Sequence, residues 1–467
     1  MAIRIFQHYW QLPLALLATV EALVFFLSPY AAVVLGHEPG VAADNGLFGS
    51  LVPTALSFAG VMFVCMTAMG LYNARQRSRL LGLLARVAAS VMAGMMLVVV
   101  VFYLFPALQI ERSALLFAAL VAFVGAALVR IVFDKVVQED IFKRRVLVYG
   151  AGKRAQSIAR LRRRSDRRGF VVVGYVEADG DDPDGVPAAE KLLAAQTLLE
   201  LCREHRVDEI VVAMDDRRRR FPMDQLLECR LEGLEIIELV SFLERETGKV
   251  RLDVLNPSWM IFSEGFRQGR IHSSLERCFD VIASVILLTV ALPVMLVTAL
   301  AIKLLEGPRA SIFYRQVRVG QYGRPFRLLK FRSMREDAES DGKPQWAQKN
   351  DNRVTPIGSF IRLTRIDELP QILNVLRGEM SFVGPRPERP EFVAQLNERI
   401  PYYRERHSIK PGITGWAQLC YPYGSSEQDA AEKLQYDLFY VKNHSLLFYL
   451  AIILQTVEVI VWGKGAR

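Results

Sequence analysis

The uneven distribution of apolar residues limits this chain more than any other feature. Residues 12–35, 51–72, 80–108 and 114–133 form four long runs with few charges, each long enough for the roughly 20 residues of helix that a bilayer crossing takes. The centre of the chain is instead crowded with Arg, Asp and Glu. Four membrane spans are therefore predicted within residues 1–140. The link between the first two runs carries Glu38 and Asp44 and no Lys or Arg, whereas the next link carries Arg75, Arg77 and Arg79. By the positive-inside rule the N-terminus is cytosolic, and four crossings return the chain to the cytosol before Lys143. No small-residue cleavage site stands out in the first run, which reads as a retained helix rather than a signal peptide.

The formal net charge of +9 could suggest nucleic acid, but much of the excess flanks the apolar runs, as at Lys143, Arg144 and Arg145. Charge in that position reads as membrane topology, and no nucleic-acid partner is expected. The cysteines at 65, 202, 229, 278 and 420 are separated in sequence, with no Cys-x-x-Cys pair and no Cys/His cluster. Neither a disulfide framework nor a zinc site is indicated.

At 467 residues the chain is expected to hold more than one domain, since single cores stop growing near roughly 250–300 residues. Residues 141–268 read as an α/β domain: strands at 146–149, 171–176, 209–213 and 236–239 alternate with helical stretches, which implies a parallel, Rossmann-like sheet. Gly150-Ala151-Gly152-Lys153-Arg154-Ala155 resembles the first half of a dinucleotide-binding fingerprint, with Glu177 as its acidic residue. So short a match favours a scaffold for regulation or assembly over cofactor binding. Asp179-Gly180-Asp181 fits a metal-binding Asp-x-Asp pattern, but turn-forming residues surround it and predict a solvated loop. The arginines at 217–220 follow Asp215 and Asp216 and read as a solvated face.

The segment 281–302 is uncharged, long enough to span, and interrupted by Pro293. After it comes a charge-, Gly- and Pro-rich body to about residue 444, then an apolar stretch at 446–462 that reads as an interfacial helix. Within the body, Asp367 and Glu368 are adjacent and flanked by Arg362 and Arg365. Pro370 fits the first turn of a helix running to about Leu376, which would place both carboxylates near a helix N-terminus, where a phosphate is also favoured. Alone, such a pair reads as capping and surface ion pairing. Its company changes that reading: Lys330 and Arg332 in Lys330-Phe331-Arg332-Ser333-Met334, and Arg386 in Gly384-Pro385-Arg386-Pro387-Glu388, supply cations for phosphate chemistry. Lys410-Pro411-Gly412-Ile413-Thr414-Gly415-Trp416 adds a rigid turn with an exposed-looking aromatic.

These residues resemble the bacterial sugar transferases, or polyprenyl-phosphate sugar-1-phosphate transferases. The match runs from about 277 to 462 through the proline-broken apolar segment, Gly307-Pro308, Arg318-Val319-Gly320, the Lys330 motif, Asp351-Asn352-Arg353-Val354-Thr355-Pro356-Ile357-Gly358, the Asp-Glu pair, 381–387 and 411–418. Four spans followed by a Rossmann-like domain resemble the large form of the family, found in exopolysaccharide, capsule and O-antigen initiation. The resemblance implies an α-rich monotopic transferase domain at 269–467 whose 281–302 segment is a re-entrant membrane helix kinked at Pro293, although Leu292 stands where many members have Ser. It implies that Asp367 attacks the β-phosphorus of a UDP-sugar, releasing UMP, and that undecaprenyl phosphate then accepts the phosphosugar. Mg²⁺ would be held by Asp367 and Glu368, and Lys330, Arg332, Arg362, Arg386 and Glu388 would bind substrate. The expected setting is the bacterial inner membrane, with the catalytic domain cytosolic and the chain a homodimer.

Two other classes fit parts of the pattern. A membrane-anchored nucleotide-sugar dehydratase would need a Tyr-x-x-x-Lys on a helix, and the candidate, Tyr149 to Lys153, falls across a strand–turn junction. A non-catalytic membrane scaffold or regulator would not need the intact Asp367-Glu368 pair. The identity of the sugar is not legible.

Overall fold

The computed structural model describes residues 2–5, 8–34, 51–72, 80–138, 143–161, 169–192, 197–216, 221–255, 257–262, 265–266, 269–335, 353–421, 424 and 426–461. The links read for topology (Glu38 and Asp44; Arg75, Arg77 and Arg79), the arginines at 217–220, and Asp351 and Asn352 lie outside the described residues. Two compact units are present, Met1–Thr247 and Gly248–Arg467.

The first unit opens with an antiparallel hairpin, β1 (Ala2–Ile5) and β2 (His8–Gln11). Four apolar helices follow: α1 (Leu12–Ala32), α2 (Val52–Ala68), α3 (Leu80–Leu104) and α4 (Arg112–Gln138). α1, α3 and α4 contain stretches long and apolar enough to cross a membrane. At 17 residues α2 is shorter, the low end of the roughly 17–25 that suffice. Phe25, Phe58, Met62, Val91 and Phe102 fill the interior, and Ala118, Ala122 and Ala126 of α4 are fully buried, small residues that let helices approach closely.

Inside this apolar bundle sits an ion pair that the hydropathy of the sequence conceals. Glu21 on α1 is 0% exposed and Arg130 on α4 is 3% exposed. Arg130 donates to Glu21 Oε2 at 2.8 Å and to the Leu71 carbonyl at 2.9 Å, and the Tyr72 hydroxyl donates to the same Glu21 oxygen at 2.6 Å. The pair therefore ties α1, α4 and the end of α2 together.

Beyond the bundle, β3 (Arg144–Tyr149), β4 (Phe170–Val176), β5 (Lys191–Leu192), β6 (Glu209–Val212) and β7 (Glu235–Glu238) form a parallel sheet in the order β5-β4-β3-β6-β7. This is the Rossmann-like arrangement expected, with strands within two residues of their predicted positions. Helices α5 (Lys153–Ala159), α6 (Leu198–Glu204), α7 (Met223–Leu231) and α8 (Leu239–Thr247) connect or follow the strands. A fully buried Glu209 on β6 accepts from Arg144 on β3 at 2.5 Å and from Arg245 on α8 at 2.7 Å, locking sheet to helix. Cys202 and Cys229, far apart in sequence, meet in the core; burial, with Cys229 beside it, pushes the Cys202 thiol up to about 12. Both remain free thiols.

The second unit begins earlier than the expected boundary at 268. Val250 N–H donates to the Gln435 carbonyl at 2.9 Å, Lys249 pairs with Glu432 at 2.8 Å, and the Lys442 ammonium lies 3.9 Å from the Trp259 ring centroid. These contacts place Lys249, Val250 and α9 (Pro257–Phe262) with the C-terminal body. Next comes α10 (Arg270–Glu306), a single helix of 37 residues with Pro293 inside it. Pro293 does not split the element, and α10 too is long and apolar enough to cross a membrane. An antiparallel hairpin follows, β8 (Phe313–Val319) and β9 (Pro325–Phe331), then α11 (Pro356–Leu363), a 3₁₀ turn (Ile366–Gln371) and α12 (Ile372–Arg377). β10 (Ser381–Val383) pairs in parallel with β11 (Gly412–Thr414), with α13 (Pro390–Arg399) between them in sequence. α14 (Trp416–Cys420), α15 (Glu427–Lys442) and α16 (Leu446–Val461) complete the unit.

Replacing Arg130 by Met would leave the Glu21 carboxylate buried and unpaired. A loss of about 3–5 kcal/mol is expected, read as a lower unfolding temperature in detergent, with much of the loss recovered in the double variant Glu21→Gln/Arg130→Met.

Candidate active site

Three segments far apart in the chain converge on Glu368. Lys330, on β9, donates to Glu368 Oε1 at 3.1 Å, and Arg386 Nη2, from the loop after β10, donates to the same oxygen at 3.2 Å. The adjacent Asp367 is 8% exposed. The pair lies in the 3₁₀ turn, which hands over to α12, so the expected single helix is a tighter turn followed by a short helix ending at Arg377. Arg365, just before the turn, takes a left-handed backbone (φ 57°), a conformation that non-glycine residues adopt at some cost.

The neighbouring carboxylates are driven in opposite directions. Burial opposes the charge of Glu368, but Lys330, Arg386 and Arg365 outweigh it and hold the group well below the ordinary glutamate range. Burial pushes Asp367 above the ordinary aspartate range; Lys330, Arg362 and Arg386 pull it down and Glu368 pushes it further up, for a net rise. Burial likewise lowers Lys330, against the pull of Glu368. Paired groups whose environments separate them in this way commonly divide chemical roles. Glu368 is thus held charged by its cationic neighbours, while the adjacent Asp367 keeps its proton more readily than an ordinary aspartate.

The backbone that carries these groups is fixed by contacts invisible along the sequence. Asn374, fully buried on α12, accepts from the Leu329 N–H at 3.0 Å and donates to the Arg327 carbonyl at 2.8 Å, which aligns β9 with the turn. At the start of the Arg386 loop, Gly384 packs so tightly that a Cβ would meet backbone atoms of Lys410 and Gly412. The two glycine motifs of the sequence are thus one structure, held further by Gly384 N–H to Thr414 O at 2.9 Å and Gly412 N–H to Pro385 O at 3.0 Å. Beneath them Arg406, in a buried 2.8 Å ion pair with Asp437, donates to the Arg386 carbonyl at 3.1 Å.

Of the other residues singled out by sequence, Arg362 acts on Asp367 electrostatically. Arg332 pairs with Glu306 at the end of α10, and Glu388 with Arg318 at 3.6 Å. Trp416 is not an exposed aromatic: its indole N–H donates to the Gly248 carbonyl at 2.8 Å and its ring packs on Phe439 and Phe448. α16 is docked on the body, burying Phe448, Tyr449 and Ile452. Two adjacent carboxylates offer oxygen donors of the kind a hard cation such as Mg²⁺ takes, one or two carboxylates with substrate oxygens and water completing its shell, although Lys330 and Arg386 already share Glu368 Oε1.

The glycine turn of the Rossmann-like sheet has a different character. Asp215 accepts from the Lys153 and Arg154 N–H groups at 2.9 and 2.8 Å, and Asp181 accepts from Ala151 N–H at 2.7 Å. The amides that would face a pyrophosphate thus carry the chain's own carboxylates. Asp181 is a turn-holding residue and Asp179 is exposed. Tyr149 ends β3 and Lys153 begins α5, so the Tyr-x-x-x-Lys spacing is not on one helix.

Residues 271–463 match the family described as Bacterial sugar transferase, and 67–221 that described as CoA-binding domain. A Klebsiella pneumoniae protein named "UDP-glucose:undecaprenyl-phosphate glucose-1-phosphate transferase" is 35% identical over 325 residues, 68% of this chain and 67% of that protein. This chain belongs to the bacterial sugar transferase family. Another member, the "UDP-N-acetylgalactosamine-undecaprenyl-phosphate N-acetylgalactosaminephosphotransferase" of Aeromonas hydrophila, is 39% identical over 263 residues, covering 56% of this chain and 61% of that protein. A Caulobacter vibrioides transferase bearing the same name as the Klebsiella one is 42% identical over 186 residues, 39% of this chain and 68% of its own length. The chain thus spans between about three fifths and two thirds of these family members.

Asn374→Ala would strip the buried Leu329 N–H and Arg327 carbonyl of their partner. A loss of about 1–3 kcal/mol is expected, measured as the shift in denaturant midpoint of the detergent-solubilised chain.

Proposed function

We propose that this bacterial sugar transferase moves a sugar 1-phosphate from a UDP-sugar to undecaprenyl phosphate. The reading rests on one observation above all: a buried Asp367 whose acidity is reduced, beside a Glu368 whose charge is already met by Lys330 and Arg386. In the first half-reaction an Asp367 carboxylate oxygen bonds to the β-phosphorus while the bond from that phosphorus to the bridging oxygen breaks, and UMP leaves with the electron pair. In the second, an oxygen of the lipid phosphate attacks the same phosphorus and the Asp367–phosphorus bond breaks, restoring the carboxylate. Splitting one displacement into two lowers each barrier. Lys330, Arg362 and Arg386 provide positive charge where phosphate oxygens gather charge. Asp367 and Glu368 would hold Mg²⁺, which when bound offsets the charge of the diphosphate.

The same proposal accounts for α10. Straight, 37 residues of helix would reach about 55 Å, well past the roughly 30 Å of hydrocarbon. Near its start, Arg277 donates to the Val375 and Leu376 carbonyls, both at 2.6 Å; at its end, Glu306 pairs with Arg332. Between them Ile282, Val285, Ile286, Val290, Val294 and Val297 are exposed. A helix tied to one body at both ends, with an apolar middle, fits a segment that enters and leaves one leaflet, and Pro293 supplies a place to bend. The reaction would then take place on the cytosolic face of the inner membrane, at the level of the lipid phosphate.

Membranes containing the chain, given undecaprenyl phosphate, Mg²⁺ and either UDP-glucose or UDP-N-acetylgalactosamine, should release UMP with at least one donor. Asp367→Asn should abolish release; full activity in that variant would remove the nucleophile assignment, and UDP in place of UMP would remove the reaction. Only ionised Asp367 attacks, so the rate profile should carry an acid limb set by this group, which burial and Glu368 push up and Lys330, Arg362, Arg386 and a bound cation pull down. Lys330→Met removes a lowering charge and should move that limb to higher pH, while Glu368→Gln removes a raising one and should move it lower. For the topology, cysteines introduced at Ser274 and Arg309 should both react with an impermeant thiol reagent from the cytosolic face; labelling from opposite faces would mean that α10 crosses.

A further inference from the structure

Near the start of α10, before its uncharged run, two imidazoles and a carboxylate meet at a place the transfer reaction does not use. His272 and Glu276 are four residues apart on α10 and so share one face of the helix. His444 arrives from the corner between α15 and α16. His272 Nε2 lies 3.1 Å from His444 Nδ1, and His444 Nε2 lies 3.4 Å from Glu276 Oε2. One ligating atom from each residue falls within 4.8 Å of the other two.

The two short distances reach different nitrogens of His444, and a metal would take only one of them. With metal–nitrogen bonds of about 2.0–2.1 Å, tetrahedral ligand atoms stand about 3.3 Å apart; the 3.1 Å between His272 Nε2 and His444 Nδ1 fits that spacing, and a small rotation of the Glu276 side chain, within the 4.8 Å that encloses the three ligating atoms, would complete the set. The rings cross at 89° rather than stacking, which lets each direct a nitrogen toward a shared point. Outer contacts fix the ligands, as such sites require: Ser381 Oγ donates to Glu276 Oε1 at 3.2 Å, and the Tyr440 ring stands edge-on to His444 at 5.1 Å. A cavity of about 40 Å³ borders Glu276 and His444, with Arg277 and Lys410 also on its wall. It has room for a water or a small anion as fourth ligand.

We propose that His272, Glu276 and His444 bind a divalent transition-metal ion of the zinc type, through two imidazoles and one carboxylate with the fourth position open to this cavity. Nitrogen-rich donors separate this site from the all-oxygen pair at Asp367 and Glu368. The ion fastens the first turns of α10 to the α15–α16 corner. Next to Glu276, Arg277 holds the last carbonyls of α12, so the same fastening steadies the helix that follows the catalytic turn.

The test uses the full chain purified in detergent, stripped with a chelator and titrated with Co²⁺ in buffer containing Mg²⁺. One Co²⁺ per chain is expected, with visible ligand-field absorption that Zn²⁺ displaces, and with loss of that absorption in His272→Ala and His444→Ala. Glu276→Gln, which keeps a hydrogen-bonding partner for His444, should bind roughly tenfold more weakly or worse. It decides the matter if the histidine variants do not fold. No ligand-field absorption in the unmodified chain, equal absorption in both histidine variants, or undiminished affinity in Glu276→Gln would overturn the proposal and leave a hydrogen-bonded His-His-Glu string. None of these readouts depends on sugar transfer.

Discussion

Much of the C-terminal unit is organised around the charge on Glu368. A carboxylate withdrawn from water is tolerable only with partners close at hand, and here Lys330 and Arg386 come from two other stretches of chain to supply them. Each partner must itself be delivered. β9 reaches the turn because Asn374 satisfies its backbone, and the Arg386 loop reaches it because Gly384 lets two backbones touch. Under that loop the buried Arg406–Asp437 pair adds a further support. Packing and polar satisfaction are therefore one problem in this unit: the hydrogen bonds that close the fold also set the distance between cation and carboxylate.

The parts of this architecture written in local pattern could be read from the sequence. Long apolar runs announced the bundle, alternating strands and helices announced the parallel sheet, and the dense arginine, glycine and carboxylate motifs announced a phosphate-handling body. Residues whose meaning depends on a distant neighbour could not be read. Asn374 is an unremarked polar residue in a short helix until β9 lies beside it, and Arg406 and Asp437 are two charges among many until they meet. His272 and Glu276 carried a helical spacing, but their partner His444 is 172 positions from His272. The contacts of Lys249, Val250 and Trp259 with the C-terminal body are of the same kind: no change in composition marks them.

The Rossmann-like sheet illustrates how one motif can serve opposite ends. A glycine turn at the start of a helix concentrates backbone N–H groups and attracts negative charge. In many proteins the charge is brought by a ligand. Here Asp181 and Asp215 bring it from within the chain, so the turn is satisfied without a visitor and its strands and loops are drawn together instead. The shortened glycine pattern of the sequence is consistent with this internal use.

The ion pair between Glu21 and Arg130 bears on how the chain is made. A charge at the centre of an apolar helix raises the free energy of entering lipid by roughly 2.5–3.5 kcal/mol on biological insertion scales; Glu21 lies well inside the span of α1, Arg130 lies toward the end of the span of α4, and α1 emerges from synthesis long before α4. The apolar residues of α1 can offset that cost, but the Glu21 carboxyl gains its ion-pair partner only when Arg130 arrives. Insertion of the first helix and completion of its polar contacts are therefore separate events: the Glu21 ion pair closes only after the last of the four helices has been synthesised.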